Sequence, residues 1–190
     1  MQNRIQNLGS FKLPPGFRGR PGWYVQLWWF VQATFFRLSP QVFYGYRAWI
    51  LRLFGAKIGK KTIIRPSAQF TYPWKISIGD HVWIGDDVVL YSLGDIHIGN
   101  DSVISQRSYI CAGDHDYSSE DFPIRGRRIN IGAECWIAAD TFVAPGVSIG
   151  DGCVVGARSS VFSDLPKLSV AVGNPARRVK SRQQSVKDQA

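Results

Sequence analysis

Residues 131–161 read IGAECWIAADTFVAPGVSIGDGCVVGARSSV, and an aliphatic residue recurs in this stretch at every sixth position. Neither an α-helix nor a plain β-strand has a period of six. Three hexapeptides close one triangular coil, and a single coil buries too little apolar surface to be stable alone. The stretch therefore indicates a stacked parallel β-helix. The aliphatic positions are Ile131, Ile137, Val143, Ile149, Val155 and Val161.

The same period extends towards the N-terminus as far as Ile58. Glycine often follows the aliphatic residue, and we expect it there because it tolerates the backbone angles of a corner. Four residues beyond each aliphatic position stands a small or β-branched residue, which we expect to fill the space beside it. The earlier aliphatic positions are Ile58, Ile64, Phe70, Ile78, Ile84, Leu90, Ile98, Ile104 and Ile110. The sequence thus predicts an all-β solenoid of five to six triangular coils over residues 57–173, about 25 Å tall at the usual strand spacing.

The period is interrupted three times. It slips by two residues between Phe70 and Ile78 and again between Leu90 and Ile98, so we expect small bulges stacked at one corner. Ile131 follows Ile110 at a spacing of twenty-one positions, where the period would need six. Residues 113–128 must therefore leave the prism as a loop, and a long excursion from a regular solenoid is usually functional.

The charge of the chain is concentrated at its N-terminal end. Residues 1–79 contain twelve Lys or Arg and no acidic residue, whereas the remainder has eleven basic and fourteen acidic residues. Residues 1–56 are also rich in aromatic side chains, and Trp23–Leu38 and Val42–Phe54 are predicted helices separated at Ser39-Pro40. These helices either pack on the prism or a subunit interface, or bind a membrane surface peripherally. No nucleic-acid-binding motif accompanies the basic residues.

Compartment and redox chemistry follow from the termini and the cysteines. The N-terminus is polar and lacks the pattern of a signal peptide, so we expect a cytoplasmic protein, either free or peripheral at the inner membrane face. There are three cysteines and no CxxC motif. Cys135 and Cys153 are eighteen residues apart and should stack in adjacent coils as small core residues.

One histidine stands out among three. His81 and His97 lie within the repeats at positions that we expect to be exposed, whereas His115 lies in the excursion, in the string ICAGDHDYSS. A histidine can accept a proton near neutral pH. Asp114 and Asp116 flank it and could orient its ring, although solvated loop residues are an equally simple interpretation. Since no GxSxG nucleophile motif is present, we expect direct transfer without a covalent intermediate.

The repeats, the histidine loop and the closing VAVGNPARRVK together resemble the hexapeptide-repeat acyltransferases. The stretches YPWKISIGDHVWIGDDVVLYSLG and ISQRSYICAGDHDY, with the repeat quoted above, are similar to the colanic-acid-type O-acetyltransferases of exopolysaccharide biosynthesis. The likeness covers most of the chain. It implies left-handed winding, acetyl-CoA as the acyl donor, no metal, a saccharide acceptor, and a homotrimer with each active site between neighbouring prisms.

The resemblance also assigns roles to residues of this chain. His115 matches the general base. Trp136 and Ala139 match the wall of the acyl site, and Gly156 and Ala157 match backbone contacts to the pantetheine arm. Asn174, Pro175, Arg177 and Lys180, in the basic tail 174–190, match the segment that meets the adenosine end.

The chain departs from the family pattern at one corner. Arg158 replaces a glycine, and Phe162-Ser163 replaces a Thr-Lys pair, so one cation expected near coenzyme A is missing. Arg158 either supplies that charge or narrows the groove.

Two other functions remain open at this point. A γ-type carbonic anhydrase would need three convergent histidines, but here the histidines are sixteen and eighteen residues apart. A non-catalytic scaffold would use the prism as a platform, although the histidine loop and the NPAR tail argue against it.

Overall fold

A computed structural model describes residues 4–183 of the chain. These residues form a left-handed parallel β-helix of about six turns, preceded by an N-terminal helical segment. Three parallel sheets, here named A, B and C in the order in which each turn visits them, form the faces of the prism. The predicted fold class is confirmed.

Sheet A begins each turn. Its strands are β1 (Lys57–Ile58), β4 (Ile76–Ile78), β7 (Ile96–Ile98), β12 (Ile129–Ile131) and β15 (Ser148–Ile149). Sheet B follows, with β2 (Ile63–Ile64), β5 (Trp83–Ile84), β8 (Val103–Ile104), β13 (Trp136–Ile137), β16 (Val154–Val155), β18 (Ser169–Gly173) and the antiparallel strand β19 (Ala176–Ser181). Sheet C completes the turn, with β3 (Gln69–Phe70), β6 (Val89–Tyr91), β9 (Tyr109–Cys111), β14 (Phe142–Val143) and β17 (Ser160–Val161).

The side chains predicted from the hexapeptide period form the core. Every predicted aliphatic position is buried, the most exposed being Ile58 at 8%. The small residues that stand four positions beyond each aliphatic residue are buried as well, and their polar atoms form hydrogen bonds, as Ser102 shows. The Ser102 hydroxyl donates to the Gly132 carbonyl at 2.8 Å and accepts from the Cys135 amide at 3.0 Å. A buried hydroxyl therefore ties successive coils together without an unpaired polar atom.

The reason that we gave for the repeat glycines is wrong. None of the glycines that follow the aliphatic positions has a positive φ. The left-handed backbone falls two residues later, at non-glycine residues such as Lys61, His81 and Asp101. Glycine is needed instead because the next coil passes close by: a Cβ on Gly99 would lie 2.5 Å from the Ala133 amide nitrogen.

The two-residue slips form stacked bulges at the corner between sheets C and A, as predicted. The Tyr72 amide donates to the Ser92 hydroxyl at 2.8 Å, and that hydroxyl donates back to the Tyr72 carbonyl at 3.1 Å. The long excursion leaves the prism from the same corner one turn later, after β9. The sequence therefore places all three interruptions along a single edge.

The N-terminal helices close the first turn of the prism. Helix α1 spans Gly22–Val31 and helix α2 spans Tyr44–Leu53. Trp28 is fully buried and its indole N–H donates to the Phe70 carbonyl at 2.7 Å. Arg47 is also fully buried, and its Nε donates to the Ile64 carbonyl at 2.6 Å. The helices are thus packed on the prism, which was the first of the two interpretations left open.

The first helix differs from its prediction. The α-helical hydrogen bonding ends at Val31, and residues Gln32–Phe36 continue as a π-helical turn. This turn buries Phe36 completely and lets the Gln32 side-chain oxygen accept from the Phe70 amide at 2.7 Å. The tertiary contact with β3 explains a widening that local sequence does not signal.

No helix in residues 4–183 combines the length and the apolar character that crossing a bilayer requires.

Candidate active site

The excursion is an ordered β-hairpin rather than an open loop. Strand β10 (Gly113–His115) pairs antiparallel with β11 (Ile124–Gly126), and His115 lies opposite Ile124. The Arg127 amide then donates to the Ala112 carbonyl at 2.9 Å, which closes the base of the hairpin. The hairpin carries His115 at its outer end on a rigid support.

The imidazole of His115 is held by its Nδ1 atom. Nδ1 lies 2.9 Å from the carbonyl oxygen of Phe122, which can only accept, so Nδ1 carries the proton when the ring is neutral. The ring stacks on the Phe122 ring with centroids 4.3 Å apart. Phe11 contacts it from the N-terminal segment, with centroids 6.1 Å apart. Nε2 therefore has a free lone pair, as a proton acceptor requires.

The two flanking aspartates pair with arginines and not with the imidazole. Arg125 donates to Asp114 through Nε at 2.9 Å and also to the His115 carbonyl at 3.1 Å. The same guanidinium lies 3.2 Å from the Asp116 carboxylate. Hydrogen bonds from Ser118, with the charges of Arg125 and Arg127, lower the pKa of Asp116. The proposed orienting role of the aspartates towards the ring is therefore wrong, because a backbone carbonyl does that work.

A second group of candidate residues lies along the corner between sheets B and C, here named the B–C corner. Trp136 stands on the outer face of β13, half exposed, with its indole N–H donating to the Ser105 hydroxyl at 3.0 Å. Ala139 follows in the same turn, and Gly156 and Ala157 follow one turn later. The Arg158 amide donates to the Ala139 carbonyl at 2.9 Å, so these residues stack directly.

The turn between strands β18 and β19 continues the B–C corner. Asn174 and Pro175 form the exposed turn between β18 and β19, in the place where the next B–C corner would be. The Gly173 amide donates to the Ser159 hydroxyl at 3.0 Å and fixes the turn to the corner below. Arg177 and Lys180 lie exposed on β19. The structure therefore places these residues along one continuous edge, except Lys180, which pairs with Val170 further back on sheet B.

Arg158 belongs to a ladder of alternating charge on that edge. Asp87, Arg107, Asp140 and Arg158 occupy the left-handed corner position in successive turns. Arg107 binds Asp140 in a bidentate pair at 2.7 and 2.8 Å, and this pair lowers the pKa of Asp140, with a smaller effect from Arg158. Arg158 lies exposed one turn above Asp140, whose carboxylate is already held by Arg107, and within residues 4–183 Arg158 forms no ion pair of its own.

The hairpin and the B–C corner lie at opposite ends of sheet C. Within each turn the B–C corner precedes the sheet C strand, and the hairpin emerges after it. The structure therefore does not bring His115 to Trp136, Ala139 or Ala157 within one chain. A site that used both groups would have to form between two copies of the chain.

Sequence reasoning did not identify a cleft on sheet B below the donor edge. It has a volume of about 770 Å³, and Trp83 stands half exposed on its wall. Arg65 donates to Asp86 at 2.8 Å in the same cleft, and Gln106 and Arg107 form its upper rim. The sequence does contain a pattern that could have indicated this cleft. VWIG at residues 82–85 repeats CWIA at 135–138, with tryptophan at the same outward position.

The remaining histidines and the cysteines lie elsewhere. His81 pairs with Asp101 at an exposed corner, and His97 is exposed on sheet A. Across residues 4–183 no group of three His, Cys, Asp or Glu side chains is arranged to hold a metal ion. Cys135 and Cys153 are free, buried thiols, and burial raises the pKa of Cys135 to about 11.

A stacked triangular coil with a histidine hairpin at one corner and an open edge at another defines a transferase of the bacterial hexapeptide-repeat class. The family profile for six hexapeptide repeats of bacterial transferases matches residues 128–163. The chain is 60% identical over 178 residues to the putative colanic acid biosynthesis acetyltransferase WcaF of Escherichia coli K12, covering 94% of this chain and 98% of the relative. The chain therefore belongs to the hexapeptide-repeat acetyltransferases.

Solved structures agree on the architecture. A maltose O-acetyltransferase from Clostridium difficile 630 superposes with a TM-score of 0.77 at 25% identity, covering 86% of this chain and 90% of that one. A hexapeptide-repeat acetyltransferase from Vibrio cholerae O1 biovar eltor, solved with acetyl coenzyme A, superposes with a TM-score of 0.75 at 23% identity. That match covers 89% of this chain and 88% of the other.

Proposed function

We propose that the protein is an acetyl-CoA-dependent O-acetyltransferase that acts on a sugar hydroxyl in surface polysaccharide biosynthesis. The relative at 60% identity is named for colanic acid biosynthesis, and a structural neighbour carries acetyl coenzyme A. The observation that carries the proposal is the hydrogen bond from His115 Nδ1 to the Phe122 carbonyl, because it leaves Nε2 free to accept a proton.

His115 acts as the general base in this proposal. Nε2 takes the proton of the acceptor hydroxyl, and the oxygen attacks the thioester carbonyl carbon. The C–S bond then breaks, and the leaving thiolate takes the proton from the imidazolium. No covalent enzyme intermediate is needed. The Phe122 carbonyl accepts from Nδ1–H throughout and stabilises the positive charge that forms on the ring.

The B–C corner binds the acyl donor. Trp136 and Ala139 flank the thioester, Gly156 and Ala157 allow the pantetheine arm to approach the backbone, and the cations of β19 suit the phosphates. The fit is supported by what the edge exposes: Ala157, Asn174, Pro175, Arg177 and Lys180 are all open to solvent. Arg158 is exposed at this corner and adds a further cation to it.

The acceptor occupies the cleft on sheet B. The cleft lies on the same face as Trp136, one to two turns nearer the N-terminus, so a saccharide there would reach the thioester end of the donor. A half-exposed indole next to a carboxylate and guanidinium groups offers a stacking surface and planar hydrogen bonds to hydroxyl groups.

A homotrimer completes the site. If sheet C of each copy faces a three-fold axis, the B–C corner of one copy meets the hairpin of the next. The outer face of sheet C supports this arrangement, since Tyr109 and Phe142 stack with centroids 6.2 Å apart and continue to Phe162 at 5.8 Å. Such an aromatic column gains free energy on burial.

We also propose that the enzyme works in the cytoplasm, attached peripherally to the inner membrane face through its N-terminal segment, where lipid-linked saccharides are assembled.

The test of the mechanism compares two histidines. We expect His115→Ala to lower kcat by a factor of about 10²–10⁴, while coenzyme A binding and the oligomeric state stay unchanged. His97→Ala, at an exposed histidine of sheet A, is the matched control and should retain wild-type turnover. Turnover would be followed with labelled acetyl-CoA and a panel of saccharides and lipid-linked saccharides. Full activity of the His115 variant would refute the proposed base.

A further inference from the structure

The helical segment that closes the prism has one face packed on the solenoid and one face with no partner in residues 4–183. Helix α1 buries Val25 and Trp28, and helix α2 buries Ile50 and Leu51. On their other sides both helices expose large apolar side chains at helical spacing. In α1 these are Trp23, Leu27 and Phe30, and in α2 they are Tyr46, Trp49 and Leu53.

The segment between the helices continues this apolar surface. Phe35 is 58% exposed, Leu38 is 79% exposed, and Phe43 is 50% exposed. With Tyr46 they line an open, largely apolar groove of about 490 Å³. We call α1, α2 and this connecting segment, over residues 22–53, the cap face. Isolated exposed apolar residues are ordinary, but a contiguous set of this size marks an interaction site.

The charge beside the cap face has one sign. Arg20 precedes α1, Arg37 follows the π-helical turn, and Arg52 lies in the last turn of α2, all exposed. Lys57 and Lys60 are exposed on the first coil, next to α2. The first acidic residue of the sequence is Asp80. The cap face is therefore apolar and aromatic at its centre, with cations around it and no anion in its own segment.

We infer that the cap face is a docking surface for an anionic lipid bilayer, which aromatic side chains enter to headgroup depth while the cations bind the lipid phosphates. Tryptophan and tyrosine favour the interface between headgroups and acyl chains, and each nearby Lys or Arg adds to the attraction of an anionic surface. A second copy of the chain fits less well, because two such faces would bring cations together without any carboxylate between them.

This inference rests on the peripheral attachment proposed above and specifies its surface and its lipid chemistry. Because the cap face closes one end of the prism, docking would orient the solenoid axis perpendicular to the membrane plane. The B–C corner and the hairpin lie along the sides of the prism. They would stay open to water and accessible to a saccharide carried by a membrane lipid.

The experiment is vesicle co-sedimentation of the full chain. The vesicles contain either phosphatidylcholine alone or phosphatidylcholine mixed with phosphatidylglycerol. We expect binding to the anionic vesicles, weakening as salt is raised, and much less binding to phosphatidylcholine. The double variant Leu38→Ser, Trp49→Ser should bind the anionic vesicles at least about tenfold more weakly. The variant Arg37→Gln, Lys57→Gln removes two of the five cations named above, so it should bind more weakly and with a smaller salt dependence.

Matched controls lie at the far end of the prism. Leu168→Ser removes an apolar side chain that is 49% exposed, and Arg178→Gln removes an exposed cation of β19. Both should bind like wild type. Acetyl transfer to a soluble saccharide is measured for every variant and should be unchanged in the cap-face variants, so that a failed docking surface is distinguished from a failed enzyme assignment.

Three results would overturn the inference. The first is no binding of the wild type to anionic vesicles, and the second is undiminished binding of the Leu38, Trp49 variant. The third is a change of oligomeric state in that variant by size-exclusion chromatography with light scattering, since the cap face would then be a contact between subunits.

Discussion

At the scale of single residues, the guanidinium of Arg125 holds the hairpin on either side of His115 without a hydrogen bond to the imidazole. Arg125 donates to Asp114, lies 3.2 Å from Asp116 and donates to the His115 carbonyl, so it fixes the strand on both sides of the imidazole. Surface ion pairs usually contribute little to stability. In the proposed mechanism this cluster would therefore act by holding His115 in position relative to the acceptor, and small displacements at such positions are costly.

We accordingly predict that Arg125→Lys lowers kcat about tenfold, with little change in the KM for acetyl-CoA and in the melting temperature. Lysine keeps the charge but cannot bind Asp114 and the His115 carbonyl at once. Steady-state kinetics and thermal denaturation provide the two readouts. Arg128→Lys, which alters an exposed pair with Asp95 outside the hairpin strands, serves as the control. A parallel loss of kcat and thermal stability would indicate a merely structural role.

At the scale of elements, the outer faces of the three sheets differ in character. Sheet A carries Ser77, His97 and Asn130 at its outward positions, which are polar, with His97 exposed and the other two half-buried. Sheet B exposes Trp83 and Trp136, and sheet C carries the aromatic column. Since inward positions are fixed by the period, the outward positions are free to differ, and under the proposed function they divide the prism into a solvent face, a ligand face and a packing face.

The ligand face leads to a specific prediction. Trp83→Ala should raise the KM for the saccharide acceptor about tenfold, because an aromatic stacking surface is worth roughly 1–3 kcal/mol in comparable contacts, and should leave the KM for acetyl-CoA unchanged. Bisubstrate kinetics measure both constants. Trp136→Ala removes the corresponding indole from the donor edge. It should raise the KM for acetyl-CoA by a similar factor and leave the KM for the saccharide acceptor unchanged. Identical effects of the two substitutions on both substrates would contradict the division of the face.

For the two N-terminal helices, only the tertiary packing decides which side is buried. Both helices were predictable from their apolar pattern, but which side packs on the prism was not. The buried Arg47 illustrates the reason: its guanidinium donates to the carbonyls of Ile64, Pro40 and Gln41, contacts that exist only after the chain has turned back on itself.

At the scale of the whole molecule, His115 and the B–C corner lie apart within one chain, so the proposed site would need more than one copy. Two inactive variants should therefore restore activity when co-assembled. His115→Ala disables the hairpin, and Ala157→Trp fills the exposed donor edge. Every mixed trimer has one intact site in three, built from the unchanged halves of two neighbours.

The measurement is acetyl transfer by co-expressed, differently tagged variants purified through both tags. Each variant alone, at the same concentration, provides the background, and mixing the purified proteins without subunit exchange provides a second control. Inactivity of the co-assembled protein would place both halves of the site within one copy.

The amino-acid sequence by itself determined the solenoid, its inward side chains, the corner at which it is interrupted and the segment that leaves it. These features repeat along the chain, and a repeated local pattern specifies its own packing because each coil rests on another of the same kind. The one non-repeating segment was recognisable as an excursion, and its histidine as a candidate base, but nothing periodic defined its path.

Only the tertiary structure decided what surrounds that histidine and where the donor edge lies relative to it. The Phe122 carbonyl reaches His115 because the hairpin folds back seven residues later, and Arg125 captures the aspartates for the same reason. The positive φ at corner residues other than glycine likewise follows from closing the coil. Contacts of this kind depend on the three-dimensional path of the chain, and no spacing in the sequence specifies them.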